Sequence, residues 1–164
     1  MLFRRERGAA SDRMFSMNTT TNTQQTNAGS DQPQPADGYA GNVSPQLAWQ
    51  WVQDGQAVLI DVRTDAEREW VGYVPGAVAV AWKQWPGMAM NASFDEQLRA
   101  AVPAGGKAVL LCRSGVRSVA AAKRAAELGV EAYNILEGVE GDVDAGGQRN
   151  RVGGWRFRGL PWRQ

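Results

Sequence analysis

The sequence has no histidine and a single cysteine, and these two shortages exclude several kinds of site. Without an imidazole, the sequence cannot form a Ser-His-Asp triad, a Cys-His pair or a histidine-ligated zinc centre. Cys112 has no second cysteine to pair with, so an intramolecular disulfide is excluded and a reducing, cytoplasmic location is expected. If Cys112 is a nucleophile, a group other than histidine must activate it.

Charge of one sign and long apolar runs are also lacking. The 18 basic side chains nearly balance the 17 acidic ones, which leaves no overall field to attract nucleic acid or a membrane surface. Apolar runs such as residues 76–82 fall far short of the roughly 20 residues that a membrane-spanning helix needs. No apolar segment follows the opening MLFRRERGAA, so a secretory signal does not fit. We expect a soluble protein without nucleic-acid or membrane partners.

The first 40 residues differ in composition from the rest. From residue 18 onwards they are rich in Asn, Thr, Gln and Pro, and cannot bury enough apolar surface to offset the entropy of ordering. We predict a disordered tail over residues 1–40, with Met17 as a second candidate start, and one domain over residues 41–164. We expect this tail to have no function of its own, and a partner-binding arm is the alternative.

The rest of the sequence alternates between strand and helix patterns. Short apolar runs predict strands at residues 57–62, 76–81, 107–111 and 132–136. Helices are predicted after the N-cap Ser44, at residues 65–70, after a capping-box pattern at Ser93, and at residues 118–128. The alternation predicts an α/β fold with a central, mostly parallel sheet of about five strands and helices on both faces. One short helix and a packed tail are expected after residue 138.

The only cysteine begins a loop, CRSGVRS, between a predicted strand and an alanine-rich helix. Cys112 is thus expected at the carboxyl end of a central strand, where open α/β sheets bind ligands. A loop that enters a helix directs several N–H groups to one point, and the helix dipole adds positive potential. With Arg113 and Arg117 beside it, the sulfur should be stabilised as a thiolate, while Gly115 allows the tight turn. A buried structural cysteine, the alternative, gains nothing from these neighbours.

Three segments resemble the rhodanese-like sulfurtransferases: LIDVRTDAERE from Leu59, GYVPGAVAV from Gly72 and CRSGVRS from Cys112. They lie within residues 43–164, and GLPW near the end is also similar to the family. The resemblance implies an enzyme without cofactor or metal, whose cysteine takes a sulfane sulfur from thiosulfate or a similar small anionic donor. The resulting persulfide would pass its sulfur to cyanide, to a thiol or to a sulfur-acceptor protein through ping-pong kinetics.

The resemblance also implies a role for each residue of the loop. Cys112 would be the nucleophile. The residues that would stabilise the persulfide and bind the donor are Arg113, Ser114, Gly115, Val116, Arg117 and Ser118.

Residues outside the loop are expected to have supporting roles. Asp61 would accept loop N–H bonds, and Arg63 would pair with Glu67. The Glu137-Gly138 turn, common in the family, is expected to be a plain strand exit. The sequence departs from the family where Tyr73 replaces a histidine, whose hydrogen bonding the tyrosine hydroxyl could partly take over.

Two other functions compete with sulfur transfer. A cysteine-based phosphatase or arsenate reductase needs five residues between its cysteine and arginine, whereas four separate Cys112 from Arg117, and the smaller loop suits a sulfur atom. A non-catalytic rhodanese-like module that binds partners or senses oxidants is the second. A sensor would have no other cysteine in this sequence to resolve a sulfenic acid, and an inactive module is expected to have lost its cysteine, which this chain keeps.

Overall fold

The computed structural model describes residues 31–164, so most of the predicted tail, residues 1–30, lies outside the described residues. Residues 31–40, which the prediction also placed in the tail, are fixed to the sheet. Gln34 and Asn42 exchange two backbone hydrogen bonds of 2.8 Å, and the Ala40 N–H donates to the Ala132 carbonyl. Composition does not reveal this contact, because backbone pairing needs no apolar side chain.

A five-stranded parallel sheet forms the centre of the described chain. The strands are β1 (Gly41–Val43), β2 (Val58–Asp61), β3 (Val78–Ala79), β4 (Lys83–Gln84), β5 (Ala89–Met90), β6 (Lys107–Leu111) and β7 (Glu131–Ile135). The helices are α1 (Pro45–Gln53), α2 (Asp65–Val71), α3 (Phe94–Ala101) and α4 (Arg117–Glu127). The sheet order is β1-β7-β6-β2-β3, and β4 pairs with β5 as a separate antiparallel hairpin. The predicted α/β fold with a central parallel sheet is confirmed.

Some elements differ from the prediction. Strand β1 was not predicted, because three residues are too few to show an apolar pattern. The run at residues 76–81 yields only the two exposed residues of β3. The short helix expected after residue 138 is wrong, since residues 155–159 form turns. No helix in the described range is long and apolar enough to cross a membrane.

Apolar side chains pack against both faces of the sheet. Helices α3 and α4 cover one face, which includes Leu110, and α1 covers the other, which includes Val109 and Leu111. Successive residues of β6 point to opposite faces, and all but the first are buried, as a central parallel strand requires. Cys112 follows β6 directly and packs in the cluster that contains Leu110. Cys112 therefore lies at the carboxyl edge of the sheet, on the face that α4 covers.

The residues that cap the helices agree only in part with the prediction. Ser44 caps α1 as predicted, accepting the Leu47 N–H at 3.1 Å. The capping box predicted at Ser93 is wrong, because its backbone is not extended and its side chain caps nothing. The capping box lies instead at the start of α2, where Thr64 and Glu67 accept each other's backbone N–H at 3.1 and 3.0 Å.

Candidate active site

The thiol of Cys112 is 1% exposed and lies inside the loop that follows β6. Its Sγ accepts the Gly115 N–H at 3.1 Å and lies 3.1 Å from the hydroxyl oxygen of Ser118. Gly115 has a φ of 94°, which residues with a side chain rarely adopt, and this turn points its N–H back at the sulfur. An N–H directed at a sulfur stabilises its anionic form, so the Gly115 N–H would favour a thiolate.

The side chain of Arg117 is committed to Glu67. Two hydrogen bonds of 2.6 and 2.7 Å join the guanidinium to the carboxylate, and the side chains are only 18% and 21% exposed. The hydrogen bonds that Arg117 donates to Glu67 raise the pKa of Arg117, and the nearby negative charges of Glu67, Cys112 and Asp61 add to this increase. Burial alone would raise the pKa of Glu67, but the hydrogen bonds from Arg117 and Thr64 outweigh it and lower the pKa to about 2. This ion pair ties the start of α4 to α2.

Asp61 and Arg63 form a second, fully buried ion pair at the end of β2. The Arg63 guanidinium donates to the Asp61 carboxylate at 3.0 and 2.7 Å, and the Arg63 backbone N–H donates to it at 3.0 Å. Arg63 also donates to the Gly72 carbonyl at 2.8 Å. Asp61 therefore accepts an N–H of its loop as expected, but the predicted pairing of Arg63 with Glu67 is wrong because Arg117 occupies Glu67.

A cavity of about 520 Å³ opens beside the cysteine loop. Arg113 and Arg117 line it together with an apolar wall of Trp70, Trp85 and Met88. Trp70 and Trp85 are 75% and 66% exposed, which is unusual for side chains of this size. The side chain of Arg113 is exposed and has no hydrogen-bond or ion-pair partner within residues 31–164. Sequence reasoning missed this wall, because the segment around the β4-β5 hairpin shows no interpretable pattern.

Residues 44–145 match the family model of the rhodanese-like domain. The chain belongs to the rhodanese-like family. The solved structure of Rv0390 from M. tuberculosis is 44% identical, with a TM-score of 0.70 over 77% of this chain and 98% of that one. A rhodanese-related protein from Thermoplasma volcanium is 16% identical, with a TM-score of 0.50 over 74% and 96% of the two chains. No curated protein matches the chain.

The description of a third similar structure names a phosphatase activity. RPA3614 from Rhodopseudomonas palustris, described as a possible tyrosine phosphatase, is 25% identical over 74% of this chain and 83% of that one. Its TM-score is 0.47.

In this rhodanese-like domain, Tyr73 does not take over the hydrogen bonding of the histidine that it replaces. Its side chain is 44% exposed, and its hydroxyl has no hydrogen-bond partner in the described part of the chain. Its backbone instead exchanges two 2.8 Å hydrogen bonds with Arg163. The ring lines a cavity of about 380 Å³ whose described lining includes Asp61 but no residue of the cysteine loop.

The turn at Glu137 and Gly138 supports the cysteine loop and is more than a strand exit. A Cβ on Gly138 would lie 2.5 Å from the backbone of Arg113, so only glycine allows this close approach. The Val139 N–H donates to the Cys112 carbonyl at 2.9 Å. The backbone after β7 therefore holds the loop directly, a long-range contact that the sequence does not reveal.

The segment after the rhodanese-like match, which ends at residue 145, packs on this turn. Arg158 binds the Glu137 carboxylate at 2.6 and 3.1 Å. Trp155 is fully buried, and its backbone N–H donates to the Gly138 carbonyl at 2.8 Å while its indole donates to the Pro161 carbonyl. The C-terminal segment therefore positions the cysteine loop through Glu137 and Gly138.

Three acidic, cysteine or histidine side chains that could bind one metal ion do not come together anywhere in residues 31–164. Three carboxylates near the loop are paired with arginines instead: Glu67 with Arg117, Asp61 with Arg63 and Glu137 with Arg158. The site presents a thiol sulfur, one backbone N–H directed at it and one cation without a partner in the described residues.

Proposed function

We propose that the protein is a sulfurtransferase that carries a sulfane sulfur on Cys112 as a persulfide. The rhodanese-like domain supports membership of the sulfurtransferase superfamily. The observation that carries the proposal is the position of the Cys112 sulfur at the end of β6, beside Ser118 and within hydrogen-bond distance of the Gly115 N–H. The Gly115 N–H supports an anionic sulfur at this position without a histidine.

The transfer takes two balanced steps. In the first, the Cys112 thiolate attacks the outer sulfur of thiosulfate, the sulfur-sulfur bond breaks with its electron pair on the departing sulfite, and a persulfide anion remains on the enzyme. In the second, a thiolate or cyanide attacks the outer persulfide sulfur, and the Cys112 thiolate departs. Because the sulfur is held covalently between the steps, the donor product leaves before the acceptor reacts.

Arg113 is the side chain best suited to attract the anionic donor. It is exposed, it lines the cavity and it has no partner in the described structure. Arg117 is also beside the loop, but its charge is largely neutralised by Glu67. We therefore assign donor binding to Arg113 and the loop N–H groups, and a supporting role to Arg117.

The volume and the apolar lining of the cavity favour an organic acceptor over a small inorganic one. Its volume of about 520 Å³ lies in the range of sites for organic molecules, and Trp70, Trp85 and Met88 supply an apolar wall. A thiol with an apolar body, or a cysteine presented by an acceptor protein, would fill this space, whereas cyanide would occupy little of it. A free thiol as nucleophile is favoured by a reducing compartment, and a cytoplasmic location is therefore part of the proposal.

The decisive experiment measures the intact mass of the protein after incubation with thiosulfate. One added sulfur atom is expected, cyanide should remove it, and Cys112→Ser should prevent it. Because the sequence has one cysteine, the added sulfur needs no further mapping. A wild-type protein that stays unmodified by saturating thiosulfate and by an organic persulfide would contradict the proposal.

A pair of variants tests the assignment of Arg113. Arg113→Gln should raise the thiosulfate concentration needed for half-maximal loading by about tenfold, since a hydrogen bond to a charged group contributes about 1.5–3 kcal/mol. Arg99→Gln removes the same charge from an exposed position on α3 and should leave loading unchanged. Equal effects of the two substitutions would show that only the overall charge matters.

The competing functions give different results in the same assay. A phosphatase would hydrolyse an aryl phosphate and would not acquire sulfur. A redox sensor would form a sulfenic acid with peroxide and would not release sulfur to cyanide.

A further inference from the structure

A line of hydrogen-bonded side chains leads from Cys112 across the sheet. Ser118 Oγ lies 3.1 Å from Cys112 Sγ and donates to Asn134 Oδ1 at 2.6 Å. Asn134 Nδ2 donates to Asn42 Oδ1 at 2.9 Å, and that oxygen also accepts the Tyr39 hydroxyl at 3.0 Å. Asn42 and Asn134 lie opposite each other on β1 and β7. We call Ser118, Asn134, Asn42 and Tyr39 the amide chain.

The first two members of the amide chain cannot turn to water for other partners. Ser118 is fully buried and Asn134 is 2% exposed. Buried polar groups in proteins are nearly always hydrogen-bonded, because an unmet donor or acceptor costs about 1–3 kcal/mol. Each change of hydrogen bonding at Ser118 must therefore be matched at Asn134.

The number of protons fixes the direction of the bonds. Ser118 has one hydroxyl proton, which it gives to Asn134, so the remaining contact with Cys112 uses the thiol proton. In this arrangement the thiol donates to Ser118. A thiolate or persulfide anion has no proton to give, so Ser118 must turn its own proton to the sulfur. Asn134 must then offer an N–H to the serine oxygen in place of its carbonyl.

We propose that Asn134 is a positioning residue for the Cys112 nucleophile, because the orientation of its amide decides whether Ser118 accepts from the thiol or donates to the sulfur anion. Turning the amide over places Nδ2 towards Ser118 and Oδ1 towards Asn42, whose amide turns in the same way. The Tyr39 oxygen then accepts from Asn42, and its proton turns outwards, since Tyr39 is only half-buried.

The reversal keeps each hydrogen bond between members of the amide chain, with donor and acceptor exchanged. No proton passes along the amide chain, and the thiol proton leaves to water. The proposal rests on the proposed function for its purpose, since the Cys112 thiolate that attacks the donor forms only after the thiol proton has left. It rests on hydrogen-bond geometry alone for its mechanism.

The charged groups around the sulfur act separately from the amide chain. They are Arg113 and Arg117 of the loop, Glu67 on α2, and the Asp61–Arg63 pair at the end of β2. Four of the five are joined in two ion pairs, and none hydrogen-bonds to a member of the amide chain. Substitutions in the amide chain therefore leave these pairs in place.

Two substitutions at Asn134 predict effects that differ in direction. Asn134→Asp supplies only acceptors, which hold the Ser118 proton away from the sulfur. Asn134→Leu removes the acceptor and leaves that proton free to turn to the sulfur. The readout is the pH midpoint of the rate at which iodoacetamide alkylates the full chain, which reports Cys112 because no other cysteine is present. N134D should raise the midpoint by about one pH unit or more, and N134L should keep or lower it.

A serine variant separates the amide chain from a direct charge effect. The new carboxylate of N134D could act on the sulfur through its charge alone. In a Ser118→Ala background the amide chain is cut, so N134D should no longer move the midpoint relative to S118A. A shift of equal size with and without Ser118 would overturn the proposal.

A second position keeps the test decisive if circular dichroism shows that N134D does not fold. Asn42→Asp places the carboxylate at a half-exposed site, where it holds the Asn134 N–H and thereby keeps Asn134 Oδ1 on Ser118. N42D should raise the midpoint, and N42D combined with N134L should not. Midpoints equal to wild type in all these variants, or raised in N134L, would refute the proposal.

The alkylation test is independent of sulfur transfer. If the wild-type protein acquires no sulfur while the predicted shifts appear, the proposed function fails and the role of Asn134 stands. If sulfur is acquired and the midpoints do not move, the role of Asn134 fails and the proposed function stands.

Discussion

The ion pair between Glu67 and Arg117 can be removed without removing the helix cap that shares its carboxylate. Glu67→Gln eliminates the negative charge but keeps an oxygen that can accept the Thr64 N–H, since glutamine also serves in a capping box. The half-buried guanidinium of Arg117 then loses its counter-charge. We expect a loss of stability at neutral pH that comes from the ion pair and not from the cap.

The pKa of Glu67 gives the size and pH range of this loss. Its folded value of about 2 lies below the roughly 4.3 of an unfolded glutamate, a difference equivalent to about 3 kcal/mol. Because a fifth of each side chain is exposed, screening by solvent reduces the expected loss to about 2 kcal/mol, or about 4–8 °C in Tm. A depressed carboxyl pKa stabilises the fold fully above the unfolded pKa. This contribution is lost as the pH falls from about 5 through about 2.

Urea unfolding at neutral pH and near pH 2 measures the prediction. E67Q should unfold at lower urea than wild type at neutral pH, and the two should converge near pH 2. Glu69→Gln removes the same charge from an exposed neighbour on α2 and should change stability by less than about 0.5 kcal/mol. An E67Q protein as stable as wild type at neutral pH, or a deficit independent of pH, would refute the reasoning.

Other substitutions test the supports and the cavity wall. Gly138→Ala should lower the free energy of unfolding by more than about 2 kcal/mol, because its Cβ meets the Arg113 backbone at 2.5 Å. Gly147→Ala, also at positive φ but with nothing within 4 Å, should cost about 1 kcal/mol. Arg158→Ala removes the partner of Glu137 and should slow persulfide formation in rapid-mixing experiments. A variant that acquires sulfur as fast as wild type would contradict a supporting role for the C-terminal segment. Trp85→Ala should raise KM for an aromatic thiol about two- to tenfold and leave KM for cyanide unchanged, whereas equal changes would exclude a wall contact.

Sequence patterns predicted the elements whose signals are local. The apolar run of β6 is buried, as its pattern indicates. Helix α1 begins after Ser44, as the cap residue and the proline that follows it indicate. What the sequence could not predict depends on contacts between distant segments. The capping patterns at Ser93 and Thr64 are similar, and only the extended backbone at Thr64 allows the cap to form.

In the site, too, the sequence predicted the local features and not the contacts between distant residues. The loop around Cys112 is contiguous, so its strand, turn and helix could be predicted together. The partners of Arg63 and Arg117 could not be predicted, because two carboxylates near in sequence, Asp61 and Glu67, were both available. In the structure, Arg63 binds Asp61, and Glu67 binds Arg117, which is 50 residues away in the sequence.

This division of partners sets the electrostatics of the cysteine loop. With Arg63 and Arg117 each neutralised by a carboxylate, Arg113 is the cation of this group that remains for an incoming anion. In the proposed transfer, thiosulfate leaves as sulfite, which is also an anion, so any cation that attracts the donor also attracts the product. We expect a single free arginine, exposed to solvent that screens it, to attract the donor and still let sulfite leave. If the proposed transfer takes place, we expect the Glu67–Arg117 pair to favour turnover as well as to support the loop, because a second free arginine there would hold the product more tightly.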